Sequence, residues 1–206
     1  MSERARIRRD LRNRRRRLSA ADRRAAVRRM TRIAVGSDVF RNSRRIGLYL
    51  ANDGEMDPLP LLLRARAMRK RCYLPVLDTL GSNRLWFAPY RPGDALQTNR
   101  FGIPEPARGA RGRVRAGALD LVLAPLVAFD HHGHRLGMGG GYYDRSLAFL
   151  RHRRVWRRPR LYGLAFEFQR VDRLHANTWD VALDGCFSDE RRHVTRNTPP
   201  GRGRTR

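Results

Sequence analysis

Lysine is almost missing from this chain: of 45 lysine and arginine residues in 206 positions, only Lys70 is a lysine. Acidic residues are scarce as well, at 19, so the net charge is +26 and the isoelectric point lies near 11.8. A charge of that size ordinarily points to a polyanionic partner. Here the arginines run through the whole chain, with dense clusters only at 14–17, 151–158 and the C-terminal stretch. They lack the interleaved aromatics of a single-strand binder. The lopsided choice of arginine over lysine reads as a compositional bias, so no specific nucleic-acid partner is expected, only weak binding at low salt. Cysteine is nearly absent too. Cys72 and Cys186 are far apart in apolar contexts, which excludes a disulfide framework and predicts a reduced, cytoplasmic protein. No long apolar run occurs. Leu119 to Phe129 is broken by Asp120 and Pro125 and is too short to cross a bilayer, and no apolar segment follows the charged N-terminus. Neither a membrane partner nor a leader is expected.

What is present centres on residues 120–150, DLVLAPLVAFDHHGHRLGMGGGYYDRSLAFL. Leu121 to Ala124 is a run of strand formers bounded by Pro125. From Asp130 to Gly141 the composition turns to glycine, histidine, arginine and aspartate; from Tyr143 a helical period returns through Leu147 and Leu150. Buried strand, glycine-rich loop, helix start is an order that suits an anion, because glycines expose backbone N–H groups and a helix start leaves them unpaired. Gly137, Met138, Gly139, Gly140 and Gly141 supply donors, and Arg135 a planar fork for phosphate oxygens. Asp144 is placed to hold a hard cation such as magnesium over the same phosphates. The loop is neither a Walker loop nor a GxGxxG turn, and a plain flexible connection fits the residues too. Three histidines, His131, His132 and His134, sit too close together to make a tetrahedral metal centre unaided.

Residues 3–17 spell a very basic helix with one narrow apolar stripe, Ile7, Leu11 and Leu18. Ser19 caps a second helix from Ala20 to Val35. Arg45 to Leu50 reads as a strand, followed by a loop with Asp53, Glu55 and Asp57, then a helix from Pro58 to Arg69. Further strands are expected at 73–76, 85–90, 161–166 and around Cys186. Phe101 opens a proline-rich loop as a candidate pocket wall, although burial against the sheet fits equally. Residues 191–206 have almost no apolar content and are expected to be a disordered basic tail.

The stretch RLGMGGGYYDR, preceded by LVLAPLVAFDHHGH, resembles the signature of the 5-formyltetrahydrofolate cyclo-ligase family. IGLYLANDGEMD, YLPV, FGIPEP, GLAFEFQ and WDVALD follow the same order, so the resemblance spans about residues 3–190. It implies ATP-dependent closure of 5-formyltetrahydrofolate to 5,10-methenyltetrahydrofolate, through a phosphorylated formyl group. It implies ATP contacts from Arg4 and Arg8, with Arg4 standing where the family has lysine, and from Arg135, Leu136, Gly137, Met138, Gly139, Gly140, Gly141, Tyr142 and Tyr143. Leu50 and Glu55, with Phe101, Tyr142 and Tyr143, are the implied folate contacts; the tyrosines fit a first-turn core role as well. Asp144 and Asp180 are the implied magnesium carboxylates, and Arg135 and Tyr143 the catalytic pair.

Alternating helical and strand patterns predict an α/β fold, with a largely parallel sheet covered by helices on both faces. The N-terminal helices are expected near the nucleotide site. One domain over 1–190, acting as a monomer on small molecules, is the expectation. Another ATP-using or sugar-phosphate enzyme on the same kind of sheet, or an arginine-rich RNA-associated protein, are the competing readings; steep salt dependence marks the last.

Overall fold

Residues 121–125 set the architecture by alternation. In the computed structural model, which describes residues 2–78, 82–107, 112–152 and 158–195, Leu121 and Leu123 enter one apolar cluster while Val122 and Ala124 enter another. Both faces of this strand are therefore buried, as parallel sheets require.

Taken in order, α1 (Glu3–Arg16) starts behind Ser2 and seats Ile7 and Leu11 on Ala128, Leu136 and Leu174. In α2 (Ala20–Gly36), capped by the Ser19 hydroxyl accepting the Asp22 N–H at 3.0 Å, Ala26, Val27, Met30 and Ala34 form the buried stripe. The short α3 (Asp38–Arg41) adds Phe40 to the same cluster. Lys70 packs against it: its ammonium lies 5.4 Å from the Phe40 ring centre and donates to the carbonyls of Arg41 and Ser43 at 2.8 and 2.7 Å. The first strand, β1 (Arg45–Gly47), ends earlier than the apolar run through Leu50 predicts. Leu48 still donates to the Tyr73 carbonyl, but the Tyr49 hydroxyl bonds the Met56 carbonyl at 2.6 Å and the chain leaves the sheet. Next, α4 (Leu59–Ala67) begins after Pro58, where a missing N–H costs nothing.

The antiparallel pair β2 (Arg71–Leu77) and β3 (Leu85–Pro89) is followed by a hairpin of β4 (Leu96–Thr98) and β5 (Pro104–Pro106), where the proline-rich sequence predicts a loop. Buried Glu105 pins this hairpin to β2, accepting from the Leu77 N–H and the Asn99 amide. Then come β6 (Leu121–Pro125), the small pair β7 (Ala128–Phe129) and β8 (Arg135–Leu136), and α5 (Tyr142–Leu147), which tightens into a 3₁₀ turn through His152. The last strands are β9 (Arg160–Leu164), β10 (Gly185–Phe187) and β11 (Arg192–Val194). The seven-stranded sheet runs β11-β10-β9-β6-β1-β2-β3. Its five inner strands are parallel and the two edges antiparallel. The second to fourth helices cover one face; α5 and the turn carrying Ala116 cover the other.

The expected tail from residue 191 needs correction, since β11 lies inside it. An edge strand needs ladder hydrogen bonds more than apolar side chains, so composition alone misses it. His193 reaches the Glu167 carboxylate at 2.7 Å and the Thr195 hydroxyl donates to the Leu183 carbonyl at 2.9 Å. The rest of the expected tail, 196–206, lies outside the described residues. Ending the chain at Glu190 is therefore expected to lower stability by about 2 kcal/mol, or roughly 4–8 °C in melting temperature for a chain of this size. An unchanged melting temperature would show β11 to be dispensable.

Candidate functional site

The carboxyl ends of β1, β2 and β6 open into a cavity of about 860 Å³, the position at which open α/β sheets bind ligands. The loop Gly137–Gly141 forms one wall. Gly139 and Gly141 take positive φ (105° and 64°), which explains glycine there. Gly137 has an ordinary φ, and an added Cβ would meet nothing within 4 Å. Neither backbone nor packing demands glycine at 137, so the missing side chain leaves space above the loop. Gly140 differs: a Cβ there would come within 3.0 Å of the Tyr142 ring. The helix behind the loop has only six residues, so its dipole is short, and attraction for an anion rests on the loop N–H groups and nearby arginines.

Arg135 lies buried beneath the loop, its guanidinium donating to the Asp144 carboxylate at 2.6 Å and to the Val181 carbonyl. Burial pulls its pKa down, and Asp144 and Asp180 oppose that pull. Asp144 also accepts the Val181 N–H at 3.0 Å through the same oxygen. From α1, Arg8 donates to the Gly137 carbonyl at 2.8 Å. Arg4 donates to the His175 carbonyl at 2.7 Å and to Asp180 at 3.1 Å. Burial and then the neighbouring Arg4 charge lower the Arg8 pKa. Two like charges at one helix start favour an anion between them. Asp144 and Asp180 both line the cavity, and each commits one carboxylate oxygen to the bonds above and to Asn177. Two hard oxygen donors with capacity to spare fit a magnesium ion that takes its other ligands from water and phosphate.

The opposite wall is built by the loop after β1. Of the three acidic residues of this loop, Asp53, Glu55 and Asp57, only Glu55, the one expected to contact folate, lines the cavity. Asp53, at φ 50°, is taken by Arg12 (2.7 Å), Arg15 (2.9 Å) and Arg16. Burial alone would raise its pKa, yet these arginines bring it below the usual carboxylate value. Asp57 caps α4 by accepting the Leu59 N–H. Fully buried Arg15 also bonds the Asp53 carbonyl, and Arg23 bonds the Gly54 carbonyl. The loop is clamped by two helices. The Glu55 carboxylate accepts the Asn52 N–H at 3.1 Å. It is crowded by protein although the residue opens to the cavity, and that burial raises its pKa to about 7 against the Asn52 bond and the Arg15 charge. Nearby, the Tyr143 hydroxyl is buried and makes no hydrogen bond; burial and then Glu55 push its pKa up. Phe101 is 52% exposed and meets the Tyr142 ring edge-on at 5.6 Å between centres. The alternative of Phe101 buried on the sheet is excluded.

Most residues expected at the site surround this one cavity: Arg4, Leu50, Glu55, Phe101, Arg135, the loop from Gly137, both tyrosines, Asp144 and Asp180. Two do not line it. Leu136 is buried with Ala128 and Leu174 under the loop, and Arg8 braces the loop through the Gly137 carbonyl. Sequence reading missed Tyr49, Asn99, Arg145 and Trp179, which also line the cavity. Tyr49 looks like ordinary strand sequence, and Asn99 and Arg145 stand among many polar residues; a tryptophan beside an aspartate in a polar stretch was a readable signal. The histidines stay in the turn after β7, where Asp130 accepts the His134 ring nitrogen at 2.9 Å and the His132 and His134 N–H groups.

The sequence pattern of the 5-formyltetrahydrofolate cyclo-ligase family matches residues 1–188. The 5-formyltetrahydrofolate cyclo-ligase of Haemophilus influenzae is 36% identical over 183 residues, covering 88% of this chain and 95% of that protein. The Escherichia coli K12 protein of the same name is 40% identical over 138 residues, 67% of this chain and 74% of that one. Among solved structures, the 5,10-methenyltetrahydrofolate synthetase of Aquifex aeolicus superposes with a TM-score of 0.79 at 28% identity, covering 98% of each chain.

Proposed function

The chain belongs to the 5-formyltetrahydrofolate cyclo-ligase family, and from that premise we propose that it converts 5-formyltetrahydrofolate to 5,10-methenyltetrahydrofolate in this cavity, with ATP as phosphoryl donor. One observation carries the proposal: an anion-suited glycine loop and the half-buried Glu55 carboxylate line the same cavity. A formyl amide is a poor electrophile and its oxygen a poor leaving group. Transfer of the γ-phosphoryl to the formyl oxygen removes both obstacles. The N10 lone pair then attacks the formyl carbon, the C–O bond breaks, phosphate departs with that oxygen, and N10 gives up its proton. The products are methenyltetrahydrofolate, ADP and phosphate. Phosphoryl transfer needs positioning and charge neutralisation more than a covalent nucleophile.

In this reading the loop N–H groups from Gly137 to Gly141 and Arg4 hold the phosphates, while Arg8 braces the loop. A magnesium ion on Asp144 and Asp180 would neutralise phosphate charge. Arg135, buried against Asp144, fixes that carboxylate. Glu55 accepts hydrogen bonds from the pteridine, with Leu50 beside it and Phe101 and Tyr142 forming an aromatic wall. The partnerless Tyr143 hydroxyl stands between the two ends and offers the substrate a donor. A small-molecule enzyme in the cytoplasm needs no membrane or nucleic-acid partner, and no helix of the described residues is long and apolar enough to cross a membrane. The direct test is incubation of the purified protein with 5-formyltetrahydrofolate, ATP and magnesium while the absorbance of methenyltetrahydrofolate is followed. Failure to form it, or formation without ATP, sinks the proposal.

Gly137→Val probes the nucleotide end. The space above Gly137 is open and its φ ordinary, so the melting temperature is expected to stay within a few degrees. ATP affinity is expected to fall about tenfold, because the branched side chain occupies the space needed by the phosphates. Equal weakening of folate would instead assign that space to the folate.

A further inference from the structure

Among the described residues Trp179 is the most exposed of the large apolar side chains, 61% accessible, and it lines the cavity beside Asp180. Exposed tryptophan is costly unless a ligand covers it, and aromatic side chains are a main component of ligand-pocket walls. The backbone around it is fixed by residues of the site itself. Arg4 holds the His175 carbonyl at 2.7 Å, and the Asp180 carboxylate accepts the Asn177 N–H at 2.9 Å. The Asp180 N–H returns to the Asn177 carbonyl at 3.0 Å, and Arg151 holds the Thr178 carbonyl at 3.0 Å. One residue beyond, Val181 is tied to both Asp144 and Arg135. The indole is thus carried at the tip of a turn whose flanking backbone is anchored on both sides, while the side chain itself remains open to the cavity.

We infer that Trp179 is the wall on which the purine base of the nucleotide stacks. The inference rests on the proposed use of ATP and adds a base subsite to it. Its position decides the occupant. Trp179 adjoins Asp180, which pairs with Arg4 at the phosphate end, whereas Phe101 and Tyr142, also in the cavity lining, already pack on each other. A base leaving phosphates held near Arg4 meets the indole next. Stacking on a π-face reads ring area rather than edge pattern, so the subsite takes adenine and guanine alike and pyrimidines less well.

The test is calorimetric titration of the whole protein, with magnesium present, using ATP, tripolyphosphate and 5-formyltetrahydrofolate, for wild type, Trp179→Ala and Trp179→Phe. Trp179→Ala is expected to bind ATP about tenfold more weakly, and Trp179→Phe within about threefold of wild type, as loss and retention of a stacking face predict. Tripolyphosphate, which has phosphates and no base, should bind all three alike. An alanine variant that binds ATP as tightly as wild type overturns the inference. So does one that loses tripolyphosphate equally, or one that loses folate instead. A wild-type protein that binds no ATP at all overturns the nucleotide reading beneath it, a distinct result from unchanged ATP binding by the variants.

Discussion

Replacing Asp144 by asparagine is expected to slow turnover by at least about a hundredfold, the scale on which a fixed charge at a developing transition state is felt. Two effects combine. The substitution removes a formal charge from the proposed magnesium carboxylates while keeping the side-chain shape. It also strips buried Arg135 of its ion-pair partner at 2.6 Å. Breaking a buried pair from one side costs about 3–5 kcal/mol, because the remaining charge is left uncompensated. The melting temperature should therefore fall too, and Arg135→Met in the same chain should restore part of it without restoring activity. If asparagine at 144 leaves turnover intact in a folded protein, neither the metal nor the Arg135 argument stands. Folate affinity, measured separately, is expected to change little, since Glu55 lies on the opposite wall.

Glu55→Gln is expected to act in opposite directions on binding and on stability. A pteridine that presents N–H donors meets a half-matched amide, so folate should weaken by roughly 1.5–3 kcal/mol, with ATP nearly unchanged. Stability should move the other way. Burial raises the Glu55 pKa from 4.5 to about 7 in the folded protein, so between those values the native state retains a proton that the unfolded chain releases. Stability therefore falls as pH rises across that window and stays lower above it. Glutamine cannot ionise and removes this slope. Melting curves from pH 5 to 8 should separate the two proteins most at the alkaline end, with the mutant the more stable. Parallel curves would mean that Glu55 is charged throughout. Charged Asp53 and the buried Tyr49 and Tyr143 hydroxyls flank the group; Arg15 supplies the opposing positive charge.

The sheet was legible because its inner strands are apolar on both faces and separated by helical periods. The pair at β4 and β5 was not, since two of the three residues in β5 are proline and its register depends on Glu105, a contact made across the fold. At the site, residues in the glycine loop were readable because their types suit an anion. Asp53 and Asp57 show the limit of that method. A carboxylate near a ligand and one tied to an arginine or a helix start look alike in sequence, and only the partners separate them. Leu136, whose side chain is buried beneath the loop, makes the same point, as motif membership does not say which way a side chain points. The edge strand β11 was hidden by its charge.

Arginine chemistry leaves one practical mark on this chain. Lys70 is its sole side-chain amine, 7% exposed and held by two carbonyls, with burial lowering its pKa. Acylating reagents therefore find no open ε-amine, and coupling at an α-amino group would give a singly labelled protein. Cross-linkers that join lysines will be silent about its neighbours, and any regulation by lysine acylation would first require the contact with Arg41 and Ser43 to open.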